Sequence, residues 1–214
     1  MAYEYGPLSR PLRETLAALQ DGLMREYRRE HLPAHRRSAR RSRRLRRIRG
    51  WCRATGRLAE QAARVTERTL PRIERETGHA FHGPDGLARI LMAPSTKRLF
   101  SDILAGFPED ALPIRANDLA MLANFADDSR ALALIGDVTL RLKVLSGEGV
   151  AGLAALSDRW ALYESRIGAG HAPDGERLVR EKETLARAVL GLIYVEGGVD
   201  ALRAVVPLLA CGQK

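Results

Sequence analysis

Glycine twice interrupts a stretch that is otherwise built to be helical. In Ser129-Arg-Ala-Leu-Ala-Leu-Ile-Gly-Asp-Val-Thr-Leu-Arg-Leu the interruption is Gly136, followed at once by the carboxylate of Asp137. In Glu183-Thr-Leu-Ala-Arg-Ala-Val-Leu-Gly-Leu-Ile-Tyr-Val-Glu-Gly-Gly it is Gly191. A glycine in mid-helix costs up to about 1 kcal/mol against alanine. Close approach of another backbone is a physical reason to place one there. The pair therefore predicts two helices that cross tightly, with acids at the edge of the crossing. The competing reading is ordinary helix packing with surface carboxylates.

The rest of the chain reads as all-α, because apolar residues recur at spacings of three and four and no long apolar/polar alternation rich in β-branched residues occurs. Leu12, Leu16, Leu19 and Leu23 mark one helix ending before Pro33; Leu58, Ala62, Val65 and Thr69 mark another. A loop over 78–86 is the expected boundary between an extension, 1–91, and a globular domain, 92–214. Beyond it, Ser95 is expected to cap a helix over 97–105, and Asn117 or Asp118 to start a short one ending at Phe125. Asp127, Asp128 or Ser129 should cap a helix over 130–145, and Ser157 one over 159–167. A helix over 176–195 should stop at Gly197 and Gly198, with a last helix over 200–209.

Charge divides the same way. The chain holds 35 Lys+Arg against 26 Asp+Glu, a formal net of +9. Residues 1–91 carry 21 arginines, no lysine and 10 acids, a net of +11, which leaves −2 on 92–214. Arg36, Arg37, Arg40, Arg41, Arg43, Arg44, Arg46, Arg47 and Arg49 crowd a segment in which no acid occurs between Glu30 and Glu60. Guanidinium forks pair with phosphates, and each neutralised phosphate releases counterions, so this segment is the expected nucleic-acid contact. The alternatives are a solvated, partly disordered basic tail and sequence upstream of a start at Met92.

Several chemistries find little support. Gly147, Gly149 and Gly152 form a G-x-G-x-x-G, but the stretch before it is helical in pattern and no βαβ unit surrounds it. His79 and His82, or His31 and His35, lack the further ligands that zinc requires. There is no serine nucleophile elbow. Cys52 and Cys211 lie too far apart in sequence for a metal knuckle and read as free thiols. No apolar run approaches the roughly 20 residues of a membrane span, and the opening MAYEYGPLSR does not read as a signal peptide, so a cytoplasmic protein is expected.

The two glycine-bearing segments carry a resemblance. Leu132-Ala-Leu-Ile-Gly-Asp-Val resembles the signature helix of the ribonuclease III family, whose core is Leu-x-x-Leu-Gly-Asp-Ala/Ser. Residues 188–198, Ala-Val-Leu-Gly-Leu-Ile-Tyr-Val-Glu-Gly-Gly, resemble that family's second helix, Glu-Ala-Leu-Ile-Gly-Ala-Ile-Tyr-Leu-Asp-Gly-Gly. The likeness covers roughly 95–210. It implies an all-α endonuclease domain that forms a homodimer and cleaves double-stranded RNA with Mg²⁺. In such chemistry, several carboxylates converge on hard cations to activate water and offset charge on the leaving oxygen.

By position, Asp137 falls on the acid after the glycine and is the expected metal ligand and catalytic residue. Glu183, one residue out of register, is the second such candidate, with Asp127 and Asp128 outside it. The departures are specific. The family's Glu four residues before the Asp is Ala133 here, as in the compact Mini-ribonuclease III branch. The two carboxylates of its second helix are Thr184 and Arg187. Arg187 would bring positive charge to the metal. Glu183 and Arg187 also read as an i, i+4 surface ion pair worth a few tenths of a kcal/mol. Three functions follow: an Mg²⁺-dependent endoribonuclease, a non-catalytic RNA-binding or scaffold member of the same fold, and a DNA-binding protein using the arginine segment.

Overall fold

The structure, a computed structural model, describes residues 8–31, 39–108, 110–141, 152–168, 170 and 174–210. All of its regular elements are helices, and the sole β-type contact among the described residues is an isolated bridge between Met92 and Ile167. In chain order they are α1 (Leu12–His31), α2 (Ala39–Arg64), a π-helical turn (Val65–Thr69), α3 (Leu70–Thr77), α4 (Pro84–Ile90), α5 (Ser95–Gly106), α6 (Ala116–Thr139), α7 (Leu153–Arg159) and α8 (Gly175–Ala210). No helix among the described residues is long and apolar enough to cross a membrane.

α1 and α2 form an antiparallel pair. Leu12, Leu16, Leu19 and Leu23, at the spacing of one helix face, are buried, and Leu45, Ile48, Cys52, Leu58 and Ala62 are buried along α2. The first turn of α1 is closed from elsewhere in the chain: the Leu12 amide donates to Asp85 Oδ2 on α4 at 2.9 Å. Just before it, the Ser9 amide donates to the buried Asp118 on α6 at 3.0 Å. Asp118 thus anchors the N-terminal segment to α6.

The arginine-rich segment, helical from residue 39, keeps a narrow apolar face. Leu45, Ile48 and Trp51 turn inward while the neighbouring arginines face water. Glu30, at the end of α1, relieves part of the repulsion by pairing with Arg44 at 2.6 Å.

The apolar core is continuous across residues 91 and 92. Leu87, Ile90, Leu91 and Met92 are buried in one cluster that extends from Leu8 to Leu209. α4 packs on both α6 and α8, and the Met92–Ile167 bridge adds hydrogen bonds from Ala93 N to Ile167 O (2.9 Å) and Ile167 N to Leu91 O (2.8 Å).

Four expectations about helix ends are corrected. α6 runs through 127–129 without a break, since Leu122, Phe125, Ala126 and Leu132 are buried on both sides of that position; continuous burial outweighs the local preference of Asp and Ser for caps. Ser157 lies buried inside α7 and does not start a later helix; the chain turns after it at Ala161, whose φ is 52°. Ser95 opens α5, but its hydroxyl donates to Gly168 O at 2.6 Å and not to the helix's own amides. The expected stop near Gly197 and Gly198 is a kink within α8, at Gly198 (φ 71°, ψ −164°). Gly147, Gly149, His35 and Cys211 lie outside the described residues; Cys52 is a buried free thiol.

Candidate functional site

Among the described residues, α6 and α8 make the most extensive helix–helix contact, and its centre is glycine on glycine. A Cβ placed on Gly136 would land on the Arg187 carbonyl oxygen and lie 3.1 Å from the Gly191 amide nitrogen. One on Gly191 would land on the Leu132 carbonyl oxygen and lie 3.1 Å from the Gly136 nitrogen. The two backbones touch because neither residue has a side chain at the crossing. Around it Leu132, Ala133, Ala188 and Leu190 are buried.

This crossing sets which side chains meet at its rim. Asp137 follows Gly136, and Arg187 lies one turn before Gly191, so the two face each other. Arg187 Nε is 3.3 Å from Asp137 Oδ1, within ion-pair distance but off the line of the N–H bond. Arg187 Nη2 donates to Glu183 Oε2 at 3.2 Å. The second oxygen of Asp137 meets Arg141 Nε at 3.0 Å. The three central side chains are partly exposed, Asp137 29%, Arg187 26% and Glu183 34%.

The structure therefore brings both sequence candidates, Asp137 and Glu183, to one guanidinium. Arg187 stands between the two carboxylates, within ion-pair distance of each. Thr184, at a position where the resemblance calls for a carboxylate, donates its hydroxyl to Arg180 O at 2.8 Å within its own helix. Ala133 is buried and offers no donor. Asp127 and Asp128 lie ten and nine residues before Asp137 on the same helix, some 14 to 15 Å along its axis. Asp127 is held by Lys97 at 2.7 Å and Arg130 at 3.5 Å, and the Lys97 hydrogen bond lowers its pKa. Burial raises that of Asp128 against the opposing charge of Arg89. No group of three His, Cys, Asp or Glu side chains suited to a metal occurs among the described residues. Two carboxylates already neutralised by arginines do not make an Mg²⁺ site as they stand.

Nothing matches by comparison. Neither protein-family models, nor curated proteins, nor solved structures return a counterpart. What the molecule can do has to be read from its own surfaces.

The second such surface is basic. Of the arginines singled out in the sequence, Arg36 and Arg37 and the side chain of Arg40 lie outside the described residues. Arg41 Nε donates to Glu30 O at 3.1 Å, and Arg44 pairs with Glu30 and sits over the Phe107 ring at 5.7 Å. Arg47 lies over Trp51 at 5.7 Å. Arg43, Arg46 and Arg49 are exposed. Sequence density concealed the continuation. Arg53, Arg57, Arg64, Arg68, Arg72 and Arg75 are also exposed, at intervals of three, four or seven residues. On a helix that spacing keeps them on one face, so the basic stripe extends along α2, through the π turn, and onto α3.

The described histidines, His31, His79 and His82, make packing and hydrogen-bond contacts. His79 packs edge-on against Phe81, with ring centroids 5.0 Å apart, and lies 3.5 Å from Glu196. The His82 amide donates to the same carboxylate at 3.0 Å. His31 packs beside Tyr27 at 5.6 Å.

Proposed function

We propose that this chain is a ribonuclease III-like protein that binds double-stranded RNA through its arginine face and does not cleave it. The observation that carries this is Arg187 standing between Asp137 and Glu183. Metal-assisted hydrolysis needs unneutralised carboxylates converging on a cation. Here a fixed cation already holds them together. The two helices that resemble the family's signatures are the two that pack glycine on glycine, and this supports the family reading. RNA as the ligand is supported by a rigid helical face of arginines, whose planar forks match phosphate oxygens.

Affinity that rests on phosphates is salt-dependent. With six or more phosphate contacts, raising salt from about 50 to about 200 mM weakens binding on the order of a thousandfold. Fluorescence anisotropy with a labelled RNA duplex is expected to show that fall, with weaker binding to a DNA duplex of the same sequence. Salt-insensitive binding would contradict the proposal, and equal affinity for DNA would favour the DNA-binding alternative.

A further inference from the structure

The basic stripe is not uniform. At the π-helical turn it becomes one wall of an open basin of about 320 Å³, whose other wall is the turn after α7. Arg64, Arg68 and Arg72 line the first wall and Arg166 the second; Glu164 is the one acid among the lining residues. We infer that this basin is a phosphate seat, the place where the backbone of the bound nucleic acid is gripped. The inference rests on the RNA-binding reading and adds where on the stripe the grip lies.

Three features distinguish the basin from the rest of the stripe. The first is available charge. Among the described residues, none of Arg64, Arg68 and Arg72 lies within ion-pair distance of a carboxylate, and all three are exposed. Glu67, the nearest acid in sequence, is turned to the other flank, where it pairs with Arg13 on α1 at 3.6 Å. By contrast, Arg41 and Arg44 further up α2 are engaged with Glu30.

The second feature is a rigid far wall. Arg166 is held by Glu181 at 2.7 Å, donates to Tyr163 O at 3.2 Å and stacks 3.6 Å from the centre of the Tyr163 ring. Its guanidinium is fixed before any ligand arrives, so little side-chain entropy is lost on binding. The third feature is concavity with hydroxyl donors at the seam. Thr69 and Ser165 hydrogen-bond to each other across it at 2.8 Å. Charges in a concave, walled site focus on an anion more strongly than the same charges on a convex helix.

The row from Arg64 to Arg72 covers about 12 Å of helix axis. A nucleic-acid strand presents a phosphate every ~3.4 Å of duplex axis, so the row can meet more than one phosphate. The ligand chemistry is thus the phosphate group, which a nucleic-acid backbone and a free oligophosphate share.

The test uses the full chain and two triple substitutions. One is Arg64→Gln, Arg68→Gln and Arg72→Gln in the basin. The other is Arg43→Gln, Arg46→Gln and Arg49→Gln on the convex part of α2. Circular dichroism and the thermal midpoint establish that both fold. Duplex-RNA affinity is then measured against salt, and inorganic pyrophosphate binding by calorimetry. The basin triple is expected to lower RNA affinity on the order of a hundredfold and to reduce the magnitude of the log–log salt slope by about 2. The convex triple is expected to have a markedly smaller effect.

Wild type should bind pyrophosphate and the basin triple should not. Equal damage from the two triples, or a basin triple that matches wild type, overturns the seat. A wild type that binds pyrophosphate through these arginines but no duplex RNA keeps the seat and defeats the RNA reading. A wild type that binds neither defeats both.

Discussion

Gly136→Ala and Gly191→Ala each lower the thermal midpoint, although alanine is the better helix former. The expected loss is about 2 kcal/mol or more, which at roughly 2 to 4 °C per kcal/mol for a chain of this size is about 4 to 8 °C. The reason is what the added methyl meets. On each glycine it falls on a carbonyl of the opposite helix backbone, which cannot swing aside as a side chain can. The helices must separate, and overpacking of this kind costs about 1 to 3 kcal/mol, occasionally more.

The control is Gly50, in the middle of α2, where an added Cβ meets nothing within 4 Å. Gly50→Ala should raise the midpoint, with a gain of up to about 1 kcal/mol. The double variant at Gly136 and Gly191 should be less damaging than the sum of the singles, because both push apart the same contact. A rise of the midpoint in Gly136→Ala matching that in Gly50→Ala would contradict the crossing.

Arg187→Glu is the second large effect and tests the role of the guanidinium. The substitution replaces the cation between Asp137 and Glu183 with a third carboxylate. Without divalent metal the variant should be less stable than wild type, since like charges then crowd one rim of the α6/α8 crossing. With Mg²⁺ or Mn²⁺ added it should recover, because a ligand that binds only the folded state stabilises it by about 2.7 kcal/mol at a hundred times its Kd.

Wild type and Arg187→Gln should show no comparable response to the same metal. The discriminating reading is thus a metal-dependent rise in thermal midpoint confined to Arg187→Glu. Wild type gaining as much from Mg²⁺ as the variant would show that Arg187 does not hold the place of the cation.

The helical class was legible because burial and spacing agree: Leu12, Leu16, Leu19 and Leu23 recur at helical intervals and are all buried. The crossing was legible too, since Gly136 and Gly191 are expensive in a helix unless a backbone sits against them. The helix ends were less so. Asp127, Asp128 and Ser129 have the chemistry of caps, but a cap preference of order 1 kcal/mol loses to the buried apolar residues on either side of them. Glu183 and Arg187 were visible as an i, i+4 pair within one helix. That Arg187 also reaches Asp137, fifty residues earlier, depends on the angle and depth of the crossing, which no local pattern encodes.

The basic surface shows a different failure. The run from Arg36 to Arg49 drew notice because its arginines are dense in sequence, yet Arg41 and Arg44 are engaged with Glu30. Arg64, Arg68 and Arg72 are sparse in sequence and become neighbours only when wound on a helix. The spacing that would have revealed them is in the chain, but their position opposite Arg166 is not, because a separate turn supplies that wall.

Incubation of the full chain with long duplex RNA, with and without Mg²⁺, decides whether the arginine-closed carboxylate pair is inert. RNA retarded on a native gel, but recovered at full length under denaturing conditions in both cases, is the expected result. Mg²⁺-dependent fragments that disappear in Asp137→Ala and in chelator would contradict it.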